Sequence, residues 1–110
     1  MEHRRADKRY DRRIGVEVVH EGQTRAGSCR NLSLGGMFIE IDLALPFGAR
    51  VQVSFRVPTQ PEAIEVEAQV RWSEPAVAGR GGLGVRFAGL RARDVWALNK
   101  FFDRVTADAS

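Results

Sequence analysis

Val51-Gln52-Val53-Ser54-Phe55-Arg56-Val57 and Ile64-Glu65-Val66-Glu67-Ala68-Gln69-Val70-Arg71-Trp72 alternate apolar and polar side chains without interruption. A period of two places every other residue on one face of extended backbone, so each run reads as a strand with one buried face. Val51, Val53, Phe55 and Val57 share the inward face of the first run. Ile64, Val66, Ala68, Val70 and Trp72 share that of the second. The Pro58-Thr59-Gln60-Pro61-Glu62 link between them has the composition of a hairpin-type loop.

The same pattern extends outward in both directions. Ile14, Val16 and Val18 alternate in the run Ile14 to His20, and Glu21-Gly22-Gln23 punctuates it. Thr24 to Arg30 reads as a more polar strand that runs straight into a turn, Asn31-Leu32-Ser33-Leu34-Gly35-Gly36. Met37-Phe38-Ile39-Glu40-Ile41 follows as the most apolar strand, with Met37, Ile39 and Ile41 on one face and Phe38 on the other. Pro46 and Gly48 bar a regular element from the connection Asp42 to Gly48. Ser73 to Arg80 is expected to lead away from the fifth strand, and Leu83, Val85 and Phe87 supply a sixth. From Asp94 the period changes. Val95, Leu98, Phe102 and Val105, joined by Trp96 and Phe101, form the apolar stripe of an amphipathic helix over about 93–106. Six short strands and a terminal helix predict an all-β fold, a six-stranded antiparallel β-barrel capped by one α-helix.

The chain has 110 residues, 44% hydrophobic and 28% charged, which suits one domain with one core. The expected division is a basic arm over residues 1–13 and a single barrel domain with its helix over 14–110. No run approaches the roughly 20 apolar residues of a membrane-spanning helix, and the charged start is unlike a signal segment, so a cytoplasmic protein without membrane insertion is expected. Cys29 is the only cysteine, which excludes an intramolecular disulfide and a cysteine-based metal cluster.

The net charge of +3 is localised. Residues 1–13 hold six cations (Arg4, Arg5, Lys8, Arg9, Arg12, Arg13) against three anions (Glu2, Asp7, Asp11), leaving eleven of 17 cations and eleven of 14 anions for the remainder. A basic arm beside a neutral domain suggests an anionic partner such as a phosphate, a nucleic acid or an acidic lipid. Arg5 to Arg9 and Arg9 to Arg13 are both R-x-x-x-R spacings. In an extended arm the Cα atoms of Arg5 and Arg9 lie up to about 13 Å apart, enough to bracket a dinucleotide-sized ligand. An arginine fork binds phosphate bidentately, stacks on a base, or contacts guanine O6 and N7.

Two other constellations carry less. Gly79-Arg80-Gly81-Gly82-Leu83-Gly84 has G-x-G-x-x-G spacing but leads into a strand, whereas the pyrophosphate mechanism needs a helix N-terminus there. The glycines read instead as a flexible turn. His3 and His20 are the only histidines, and Glu65 and Glu67 alternate on an exposed strand face, so no catalytic or metal-ligating residues are assigned and an enzyme is not expected.

The Asn31 to Gly36 turn has the residue types of a binding site as well as those of a turn. Arg5-Ala6-Asp7-Lys8-Arg9, followed by Val16 of the first strand and then by Asn31-Leu32-Ser33-Leu34-Gly35-Gly36, resembles the PilZ domain family of bacterial cyclic di-GMP receptors. That family pairs an R-x-x-x-R arm with a [D/N]-x-S-x-x-G turn. Val70-Arg71-Trp72, Gly84-Val85-Arg86-Phe87 and the closing helix continue the likeness, and Asn31 to Glu40 is especially similar to single-domain members from myxobacteria and their relatives.

The resemblance implies a non-enzymatic cyclic di-GMP receptor, with no other cofactor, whose arm changes conformation on binding and signals to a protein effector in motility or biofilm control. Arg5 and Arg9 would contact guanine edges and phosphates. Asn31 and Ser33 would hydrogen-bond a guanine, with Gly36 giving clearance. Arg4, Gly35 and Trp72 are secondary candidates. Asn31, where many members have Asp, removes a carboxylate able to accept from guanine N1 and N2, so weaker binding is implied. The chain is expected to be a monomer or weak homodimer. An alternative is a ligand-independent protein–protein adaptor of the same fold. Nonspecific nucleic-acid binding is the weakest reading, because Phe55 and Phe87 lie on core faces and the cationic excess is confined to the arm.

Overall fold

The computed structural model describes residues 13–77 and 80–109. Six antiparallel strands close into a barrel: β1 (Ile14–His20), β2 (Gln23–Leu32), β3 (Gly36–Glu40), β4 (Arg50–Phe55), β5 (Ile64–Val77) and β6 (Arg80–Ala88). Around the barrel the order is β1-β2-β3-β6-β5-β4, with β4 pairing back onto β1 through Val16↔Phe55 and Val18↔Val53. Closure leaves no free sheet edge. A final helix, α1 (Ala92–Ala109), completes the expected architecture.

The alternation that defines the strands also fills the barrel. Val16 and Val18 of β1, Cys29 of β2, Met37 and Ile39 of β3, and Val51, Val53 and Phe55 of β4 are buried. So are Ile64, Val66, Ala68 and Val70 of β5, and Leu83 and Val85 of β6. The β1–β2 hairpin turns through Glu21 (φ 51°) and Gly22 (φ 79°), two successive left-handed residues of the kind that match the twist of a tight hairpin. Residues 41–49 cross from β3 to β4. Their end is fastened to β5 by Gly48 N–H donating to Val70 O (2.7 Å) and Val70 N–H donating to Ala49 O (2.8 Å).

In α1, Ala97, Leu98, Phe101 and Phe102 face the core. Asp94, in its first turn, is 1% exposed and accepts hydrogen bonds from Gln60 Nε2 and Arg91 Nε, both at 3.3 Å. A carboxylate there complements the helix dipole and ties α1 to the β4–β5 connection. Thr59 adds a second tie, donating from Oγ1 to Ala97 O at 2.6 Å.

Four local expectations are corrected. Trp96 is 58% exposed and is not part of the buried stripe, which takes in Ala97 beside the expected Leu98, Phe101 and Phe102. β2 continues through Asn31 and Leu32, so Asn31 is a strand residue and the turn begins after it. Ser73 to Val77 prolongs β5, which pairs with β6 as far as Val77↔Arg80, so this segment does not lead away. Gly81, Gly82 and Gly84 belong to β6, not to a flexible turn.

Candidate functional site

The outer faces of β2, β3, β6 and β5 carry an open groove of about 800 Å³. Its floor follows from register. Asn31 pairs with Phe38, Phe38 with Gly84, and Gly84 with Trp72, so these four residues form one outward row across four strands. The Phe38 and Trp72 rings lie 5.3 Å apart between centroids and are tilted by 40°. Glycine in β6 makes room for them. A Cβ at Gly82 would collide with the Phe38 ring, and one at Gly84 would come within 3.4 Å of Trp72.

Trp72 reaches this face through a β-bulge. Val70 pairs with Val85 and Trp72 with Gly84, leaving Arg71 as the extra residue. A bulge resets the alternation. Val70 therefore points inward, while both Arg71 and Trp72 are exposed, Trp72 at 53%. The sequence pattern had placed Trp72 on the buried face, because an inserted residue leaves no trace in an apolar/polar alternation that ends where the bulge begins.

A second bulge, between Cys29 and Asn31, brings Asn31 to the outer face at the head of the turn. Ser33, two residues on, is 2% exposed. Its Oγ accepts hydrogen bonds from Gly35 N–H (3.1 Å) and Gly36 N–H (3.2 Å) and donates to Gly36 O (3.3 Å), while Ser33 N–H also donates to Gly36 O (2.9 Å). A hydroxyl offers one donor and two acceptor positions, so the turn occupies all of them. Asn31, Ser33 and Gly35 all line the groove. At Gly36 the clearance serves the protein's own chain, since a Cβ there would overlap the Val85 carbonyl oxygen of β6.

Sequence reasoning assigned no role to Phe38, Arg71 or Arg86, which also line the groove. Their signal was the outward parity of Phe38 and Arg86 on their strands. Only the folded barrel shows that β3, β6 and β5 are neighbours. No carboxylate lines the groove among the described residues, so its two guanidiniums leave it positively charged. Arg4, Arg5 and Arg9 lie outside the described residues.

The arm joins the barrel beside a smaller cavity of about 440 Å³ lined by Arg13, Arg30, Glu40 and Asp42, among others. Glu40 accepts from Arg30 Nη1 at 2.9 Å and from Arg13 Nη1 at 3.0 Å, and Arg13 also reaches Ser28 Oγ at 3.4 Å. The bond from Arg30, then that from Arg13, holds the Glu40 carboxyl below its ordinary value of 4.5. Arg13 is thereby engaged as a fastening at the base of the arm.

Fold and groove together define a small helix-capped barrel that offers a ligand-sized surface on the outside of its sheet. The chain belongs to the PilZ domain family, whose profile matches residues 3–104. No curated protein sequence matches it. Among solved structures it is similar to the Bacillus subtilis inhibitor of motility MotI/DgrA, with a TM-score of 0.82 and 21% identity, covering 98% of this chain and 53% of that one. It is also similar to the PilZ domain with c-di-GMP of YcgR from Escherichia coli (TM-score 0.62, 18% identity, 88% and 84% covered). A tetrameric PilZ protein from Xanthomonas campestris is a third neighbour (TM-score 0.60, 24% identity, 76% and 46% covered). The likeness is one of fold, and this chain spans about half the length of the first of these structures. Among the described residues no helix is long and apolar enough to cross a membrane.

Proposed function

We propose that this chain is a non-enzymatic receptor for cyclic di-GMP. In this reading the ligand lies in the groove on the outer faces of β2, β3, β6 and β5. Arg5 and Arg9, with Arg4 beside them, close over it, and the rearranged arm presents a new surface to a protein effector in motility or biofilm control. The protein works in the cytoplasm as a monomer or weak homodimer.

The observation that carries this reading is the convergence of Asn31, Ser33 and Gly35 with Trp72 in one groove. These residues come from two separate segments, the β2–β3 turn region and β5, yet each matches a position that the family resemblance marks for the ligand. The row formed by Phe38, Gly84 and Trp72 offers an apolar, aromatic surface to a purine, and the Asn31 side chain stands at its edge with the amide chemistry that pairs with a base. The engagement of Arg13 by Glu40 supports Arg5 and Arg9, rather than Arg9 and Arg13, as the ligand-binding pair.

Titration calorimetry of the full chain with cyclic di-GMP tests the proposal. Saturable binding is expected, weakened about ten- to a hundredfold by Arg5→Ala or Arg9→Ala, as for loss of a charge-assisted contact. Absence of heat at micromolar ligand would rule out the receptor reading and leave the ligand-independent adaptor.

A further inference from the structure

We propose that Arg71 and Arg86 form a phosphate-binding subsite that belongs to the barrel itself, with Phe47 as the residue that positions Arg71. The subsite takes a phosphodiester or phosphomonoester of a purine nucleotide whose base lies along Phe38 and Trp72. The ligand named in the test rests on the receptor reading above, whereas the subsite rests on the groove.

Both arginines lie on the groove but reach it by different routes. Arg86 projects outward from β6 between the inward Val85 and Phe87, two residues beyond the Gly84 floor. Arg71 is the bulged residue of β5 and stands next to Trp72. Neither has an ion-pair partner among the described residues, in contrast to Arg13, Arg30 and Arg91, each of which is tied to a carboxylate. Two unneutralised guanidiniums beside an aromatic floor make a site for an anion carrying a flat group.

Phe47 supplies the second observation. It is 70% exposed, on the crossing segment 41–49, and the Arg71 guanidinium carbon sits 5.2 Å from its ring centroid. The segment holding Phe47 is stapled to β5 on both sides of Arg71, by the Gly48 and Ala49 bonds to Val70 and by Leu45 N–H donating to Ser73 Oγ (3.4 Å). A cation held over a ring face is attracted by the ring's charge distribution and needs no hydrogen bond to it, so the guanidinium N–H donors stay available. The ring therefore restricts the Arg71 side chain without consuming a single donor, so less freedom is lost when phosphate binds.

The experiment titrates cyclic di-GMP into the full chain and into Arg71→Gln, Arg86→Gln, Phe47→Ala and Phe47→Trp, with Arg5→Ala in parallel. GMP and guanosine are titrated separately, followed by NMR of the arginine Nε–H and Trp72 indole N–H groups. Arg71→Gln and Arg86→Gln are each expected to weaken cyclic di-GMP about ten- to a hundredfold. Phe47→Ala should weaken it about two- to tenfold, and Phe47→Trp should restore it, with thermal midpoints unchanged because all three side chains are exposed. If Arg71→Gln and Arg86→Gln bind like the parent while Arg5→Ala does not, the arm alone holds the phosphates, and the subsite is overturned with the receptor reading intact. If the parent fails to bind cyclic di-GMP, the receptor reading falls and GMP decides. Shifts at Arg71 and Arg86 with GMP but not guanosine support the subsite, and their absence overturns it.

Discussion

Ser33→Ala separates two roles for a residue that the family motif assigns to the ligand. Its hydroxyl oxygen accepts from Gly35 N–H and Gly36 N–H and its proton goes to Gly36 O, in a site only 2% exposed. Alanine removes all three bonds at once, but the consequences differ. Gly35 is exposed, so its N–H turns to water at little cost, whereas Gly36, the first residue of β3, is buried against β6 and its N–H loses that bond without solvent to replace it. A buried donor left unsatisfied costs about 1 to 3 kcal/mol, and the lower half of that range applies because Ser33 N–H to Gly36 O still closes the turn. For a domain of this size, a loss of about 1 to 2 kcal/mol lowers the thermal midpoint by about 4 to 9 °C. The assay is thermal or urea unfolding of the ligand-free chain, with amide exchange at Gly35 and Gly36 as the local readout. Faster exchange at both amides and a lower midpoint are expected before any ligand is added. An unchanged midpoint and unchanged exchange, combined with a tenfold or greater loss of cyclic di-GMP affinity, would show that Ser33 acts on the ligand and that the turn stands without it.

Two further outcomes follow from close approach and from charge. Gly36→Ala should cost about 3 kcal/mol or more, because the new Cβ meets the Val85 carbonyl oxygen and lies 3.2 Å from Arg86 Cα, both backbone atoms that cannot swing aside. A urea midpoint within error of the parent's would refute this. The Glu40 carboxyl should titrate below 4.5, since Arg30 and Arg13 favour its charged form. A depressed folded-state value means that the stabilisation is complete above the ordinary value and is lost as pH falls through the folded one. Acidification through that folded-state value, which lies below 4.5, should therefore release Arg13 from β3. Carboxyl carbon NMR of Glu40 checks this, and a midpoint at or above 4.5 counts against the paired arrangement.

Much of the fold was legible because it depends on period. The inward residues of β4, the alternation of β5 up to Val70, and the outward Phe38 in β3 all follow from a pleat that repeats every two residues. The Leu98 and Phe102 face of α1 follows from a turn of 3.6. Where a single residue breaks the period, this reasoning fails. The Arg71 bulge turned Trp72 outward, and the bulge near Arg30 turned Asn31 onto the outer face of β2. The glycines of β6 were misread for a related reason. Their lack of side chains marks a turn when only neighbours along the chain are considered, but here it accommodates rings arriving from β3 and β5.

The sequence by itself determined a six-stranded barrel with a closing helix and a basic arm. It also marked Ser33 to Gly36 as part of a polar turn beside the most apolar strand. Periodicity, turn chemistry and charge placement are local properties, carried by residues a few positions apart. Tertiary structure alone decided that β6 lies between β3 and β5. That order sets Trp72 and Arg71 on the same groove as Asn31. Strand order arises from pairings between residues far apart in the chain, such as Phe38 with Gly84, and each bulge from the way two strands pair, so a one-dimensional pattern holds no record of either.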